Sequence, residues 1–132
     1  MKSLKLFTLL LVPFAFSLMS FNSKIKKEET LYTYLEYRWS DTKMKTVHIF
    51  ISDVLEYQDW KENSIELRKK FVSKALEQSQ IEIWSAGIAP KGFDKSIEEV
   101  KIKRGTNLNT SIRWEESFGR SVKTYYLNLY RL

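Results

Sequence analysis

The chain has no cysteine, one histidine, two prolines and four glycines in 132 residues. Each shortage removes a class of chemistry. Without cysteine there is no disulfide scaffold, thiol nucleophile or iron–sulfur ligation, and with a single imidazole the usual Cys/His zinc sites go as well. The glycines, Gly87, Gly92, Gly105 and Gly119, match neither the phosphate-cradling Walker loop nor the dinucleotide fingerprint. Asp41, Asp53, Asp59 and Asp94 stand singly, so no calcium loop of alternating acids is written here. No internal repeat or low-complexity stretch occurs. The pattern specifies no cofactor and no metal.

What is present is a core-forming composition. At 43% hydrophobic and 14% aromatic residues the chain is too apolar for intrinsic disorder, and its length allows one domain. Lys and Arg total 22 against 16 acids, a net charge of +6.

The first residues follow a targeting pattern. Lys2 and Lys5 precede an apolar run from Leu6 to Met19, broken by Thr8, Pro13 and Ser17. That run is shorter than the roughly 20 residues a helix needs to cross a bilayer, and Pro13 weakens it as a span. Small residues at Ala15 and Ser17 suit a signal-peptidase site, and a cut after Ser20 suits it nearly as well. Residues 1–20 are therefore expected to be a secretory signal peptide, 21–30 a basic flexible arm carrying Lys24, Lys26 and Lys27, and 31–132 a single domain. With no cysteine to acylate, the lipoprotein route is closed, and cleavage leaves no stable membrane anchor. Loss of Lys2 and Lys5 with no acid lowers +6 by two, to +4. A cysteine-free exported domain suits a bacterial periplasm, so the expected location is periplasmic or secreted.

Within the domain, Leu31 to Trp39 alternates with period two, Ser40 to Lys43 makes a polar connection, and Thr46 to Val54 alternates again. This predicts an antiparallel hairpin whose second strand, apolar on both parities near Ile49 to Ile51, is central. Asp59 with Glu62, or Asn63 with Glu66, offers a helix cap ahead of Leu67, Phe71, Val72, Ala75 and Leu76 at spacings of three and four. Ile81 to Ala86 reads as a third strand, ended by turn material at Pro90, Lys91 and Gly92. Residues 96–104 fit either a short helix capped by Ser96 and Glu99 or a strand, and the turn-like Gly105 to Asn109 favours the strand. Ser111 to Glu116 and Val122 to Arg131 complete a meander. The expected fold is α+β: a mainly antiparallel sheet of five to six strands, in the order β-β-α-β-(β or short α)-β-β, with one principal helix on one face and the other face uncovered.

Candidate sites are sparse. His48 sits mid-strand with Val47 and Ile49 on the opposite parity, the position of a sheet residue, and Asp53 projects to the other face. The acid pairs Glu28–Glu29, Glu98–Glu99 and Glu115–Glu116 are adjacent residues, which on a strand face opposite ways. A basic cluster, Lys101, Lys103, Arg104, Arg113 and Arg120 with Trp114 interleaved, raises nucleic acid as a ligand, but export and a charge of +4 count against it. Aromatics carry more weight. Tyr32, Tyr34, Trp84, Trp114, Tyr126 and Tyr130 are too many for one small core, so some should be exposed for a partner. These features favour a small exported binding protein over an enzyme, its partner another protein bound as by an inhibitor, immunity or accessory module. The alternatives are recognition of glycan or cell wall by exposed aromatics, and a hydrolase working with carboxylates alone.

Overall fold

The hairpin forms as the alternation requires. In this computed structural model, which describes residues 29–41, 43 and 45–130, β1 (Tyr32–Asp41) pairs antiparallel with β2 (Thr46–Ser52), Glu36 opposite Ile51 and Trp39 opposite His48. The expected signal peptide and most of the expected arm lie outside the described residues. β3 (Leu55–Glu56) and β4 (Ala89–Asp94) both pair antiparallel with the other side of β1, and β5 (Ser121–Leu127) pairs parallel with β2. The result is a mixed five-stranded sheet with the path β3-β1-β2-β5. β2 is central, as its two apolar parities imply.

Helix α1 (Tyr57–Ser79) covers one face. Leu67, Phe71 and Ala75 bury against Leu35, Phe50, Leu127 and Leu129, the stripe read from the sequence. Neither expected cap opens the helix. It begins two residues before Asp59, and Asn63 sits at a kink inside it with φ −123° and ψ 26°. The two signals meet there instead, where Asn63 Nδ2 donates to Asp59 Oδ1 at 2.7 Å. Gln80, at φ 63°, ends the helix by donating its N–H to the Leu76 carbonyl at 2.9 Å.

The other face is not bare. Helix α2 (Ile97–Ser117) lies across it and buries Val100 and Leu108 against Tyr34, Val47, Ile49 and Ile51. The sheet is therefore sandwiched between two helices, a correction to the single principal helix and open face expected. Residues 96–104 take the helical alternative, with the Ser96 hydroxyl accepting from the Glu99 N–H. The helix then runs on through Gly105 to Asn109, expected as a turn, and through 111–116, expected as a strand. One interior glycine costs a helix about 1 kcal/mol, which burial of Val100 and Leu108 offsets.

Two further corrections follow. Ile81 to Ala86 forms no strand: Ile83 is buried in irregular backbone that leads into a short 3₁₀ turn, η1 (Ser85–Gly87). The strand is instead β4, built through the Pro90, Lys91 and Gly92 expected to turn. Proline is tolerated in it because β4 is an edge. Gly92 is needed there, since its φ is +65° and a Cβ would stand 2.6 Å from Tyr34 Cε1. Finally, β5 follows a helix rather than a hairpin, so it returns parallel to β2 and the expected meander does not form.

Candidate functional site

The start of β1, the short strand β3 and the first turns of α1 and α2 converge at one end of the sheet. Tyr32 is held there by pairing with Glu56 and Asp94. Between these elements lies an open cleft of about 490 Å³. Val54, Leu55 and Ile97 form its apolar walls, Tyr32 and Tyr130 bring two phenol rings, and Glu56, Asp59 and Glu62 bring three carboxylates. Among the described residues, neither Lys nor Arg lines it. The acids recur at three-residue intervals, which on α1 sets Asp59 and Glu62 on one side of the first turns. There the helix N-terminus favours negative charge.

Tyr130 is fixed by donating its hydroxyl to Asp59 Oδ2 at 2.5 Å. Burial raises its pKa above the ordinary phenol range, and the bond to Asp59 and the charges of Asp59, Asp53 and Glu56 raise it further. The phenol therefore remains a donor at every physiological pH. Asp53 stands behind, where its carboxylate accepts the Leu129 N–H at 3.1 Å and anchors the segment leading to Tyr130. Burial raises its pKa, opposed by that bond and by the Arg104 charge. A second hollow of about 250 Å³ shares Glu56 and Gln58 and opens beside Glu29 and Lys61. There Lys61 Nζ lies 5.0 Å from the centre of the Tyr57 ring.

Other polar groups are committed within the chain. Glu36 is buried, with Lys91 on its carboxylate and Arg38 Nε at 3.7 Å. Arg38 also donates to Ser111, and Asn107 donates to the Tyr34 hydroxyl at 3.1 Å. These bonds clasp α2 and β4 to β1. Most of the basic cluster is likewise engaged: Lys101 bridges to Glu98 at 3.4 Å, Lys103 to Asp94 at 3.1 Å, Arg104 donates to the Ser52 carbonyl at 3.0 Å, and Arg120 meets Glu115 at 3.1 Å.

His48 does sit on the sheet, stacked on Tyr125, edge-on to Trp39, and with Nδ1 3.0 Å from the Tyr125 hydroxyl. Burial lowers its pKa below the usual imidazole value, and the Lys123 charge adds to this while Asp41 opposes it. Among the described residues no group of three or more His, Cys, Asp or Glu is arranged to hold a metal ion, and no helix is long and apolar enough to cross a membrane.

The six candidate aromatics separate. Tyr34 is 1% exposed and belongs to the core. Tyr32 and Tyr130 meet at the cleft. Trp84 at 71% and Tyr126 at 60% are exposed elsewhere, and Trp114, 62% exposed, packs edge-on to Phe118 near the end of α2. They form no single aromatic platform. The sequence reading missed the carboxylates of the cleft because Asp59 and Glu62 were absorbed into a capping motif. The Glu56, Asp59, Glu62 spacing was the available signal. Comparison with known proteins adds no further constraint: no family model, curated protein or solved structure matches this chain.

Proposed function

We propose that the chain is a small exported, non-enzymatic binding protein of a bacterial envelope, and that its cleft takes a Lys or Arg side chain presented by a protein partner. The observation that carries the reading is the cleft's composition: among the described residues it is lined by three carboxylates, two tyrosines and no basic group, on a chain whose net charge stays at +4 once Lys2 and Lys5 are removed. Carboxylates pair with ammonium and guanidinium groups, aromatic faces attract the same cations, and Tyr130 holds Asp59 in place. Export is supported by the basic and apolar pattern of residues 1–20.

The test is isothermal titration with short peptides carrying a single Arg, Lys or Gln at one position. Binding should require the cation, weaken as salt rises, and fall at least tenfold in Asp59→Asn/Glu62→Gln. Equal binding of the Gln peptide overturns the proposal.

A second reading, glycan binding, draws on the same place, since Tyr32 and Tyr130 offer rings to a sugar face and the carboxylates accept its hydroxyl protons. It predicts retention on cell-wall glycan that is insensitive to salt and lost in Tyr32→Ala. Release of sugar from that glycan, abolished by Asp59→Asn, would instead reveal a carboxylate-only hydrolase.

A further inference from the structure

We infer that the outer edge of β5, which no other strand of the described residues pairs, joins two copies of the chain, antiparallel about a two-fold axis at Thr124, into one continuous sheet. The inference is carried by residues other than those of the cleft. The sheet's two edges are unlike. On one side β3 has two residues, and β4 carries Pro90, a positive-φ Gly92 and a register shift against β1, all features that blunt an edge. On the other, β5 runs seven residues in unbroken register with β2, and contains no proline and no acid.

The direction of its backbone groups follows from the bonds at either end. Ser121 N–H donates to the Lys45 carbonyl at 3.0 Å, and the Leu127 carbonyl accepts from Asp53 N–H at 3.1 Å. Odd-numbered residues therefore turn toward β2, and Val122, Thr124 and Tyr126 point their N–H and C=O groups outward. Gln78 Nε2 reaches the Tyr126 carbonyl from that outer side at 3.1 Å, leaving the carbonyl a second lone pair.

Self-complementarity selects a second copy as the occupant. Thr124 is the midpoint of β5, so a two-fold there uses the whole strand. It sets Thr124 opposite Thr124, and Val122 opposite Tyr126 of the second copy, the β-branched and aromatic pairs that sheets favour. The strand's single charge, Lys123, then faces the Tyr125 ring of the second copy. A two-fold at Lys123 would oppose like charges.

The absence of native cysteine makes a direct test available. In the chain as it accumulates in cells, Thr124→Cys should oxidise to a covalent dimer, because directly opposed residues bring their Cα atoms to about 5.5 Å, within disulfide reach. A control, Thr106→Cys, should not. By sedimentation across the micromolar to millimolar range, the unmodified chain should be dimeric. Thr124→Pro, whose lost N–H makes no bond to β2, should weaken the dimer by tenfold or more with its circular dichroism unchanged. A chain that stays monomeric throughout, or a dimer that persists without cross-linking at position 124, overturns the inference, and the cross-link decides it even if the proline variant fails to fold.

Discussion

Replacing three glycines by alanine, one at a time, reads out three different physical situations. Gly105 lies inside α2, and an added Cβ would find nothing within 4 Å. Alanine there gains helix propensity and should stabilise the domain by about 0.8–1 kcal/mol. Gly119 also faces open space, but its φ of +75° puts any L side chain in the left-handed region. Its replacement should cost about 1–2 kcal/mol. Gly92 combines a φ of +65° with a Cβ position 2.6 Å from Tyr34 Cε1 and 3.1 Å from Cδ1. Tyr34 is 1% exposed and its hydroxyl is held by Asn107, so the ring has little room to yield. The conformational term adds to an overpacking term of about 1–3 kcal/mol, for a total of about 2–5 kcal/mol. Equilibrium urea unfolding at constant m-value measures all three, and in a domain of this size each kcal/mol moves Tm by about 4–8 °C. If Gly105→Ala destabilises, α2 does not run through that position and the turn read from the sequence is correct. If Gly92→Ala costs no more than Gly119→Ala, Tyr34 does not pack beneath Gly92.

Two other perturbations probe separate parts of the fold. Because the folded state lowers the His48 pKa, chiefly by burial and next through Lys123, the unfolded chain binds the proton more readily. Stability should therefore be complete above the ordinary imidazole range and fall as pH drops through about 6.5 toward the lower folded value, a slope that His48→Gln should flatten in thermal melts at a series of pH values. Ser96→Ala removes the hydroxyl that accepts the Glu99 N–H at 3.4 Å. At that length the loss should be about 0.5–1 kcal/mol in urea unfolding, and an unchanged midpoint would mean the start of α2 is held by Asp94 instead, whose carboxylate accepts the N–H of the capping residue Ser96 at 3.3 Å.

The hairpin and α1 were legible because β1 and β2 alternate, with both parities apolar where two faces are covered, and α1 keeps three-and-four spacing. Leu35, Phe50, Phe71 and Ala75 all fall where alternation or three-and-four spacing puts them. Helix α2 was hidden because its buried stripe is thin. Between Val100 and Leu108 the next position on that face is Arg104, whose guanidinium leaves the helix to bond the Ser52 carbonyl, so the apolar repeat skips a turn. Further on, Glu115 is buried through its bridge to Arg120, and a charged residue in a core position reads from sequence as solvent-facing. β4 was hidden for the opposite reason: Pro90 and Gly92 are turn formers by local preference, and what makes them a strand is tertiary, the Tyr34 ring that leaves room for a glycine and nothing larger. The cleft was half legible. Tyr32 and Tyr130 were singled out 98 positions apart in number, but nothing local to either says that they meet.

Helix α2 also explains how a basic chain keeps an acidic cleft. With α2 across the sheet, Lys103 and Arg104 are drawn to Asp94 and to the Ser52 carbonyl, and Arg120 to Glu115. Lys91 and Arg38 are drawn to Glu36 in the same way. These cations are thus engaged away from the cleft, and among the described residues Glu56, Asp59 and Glu62 have no Lys or Arg beside them in its lining. The N-terminal turns of α1 favour negative charge there, and the Tyr130 hydroxyl donates to Asp59. Disrupting α2 should therefore weaken cation binding at a cleft to which it contributes Ile97 alone, by freeing the cations that its packing keeps away.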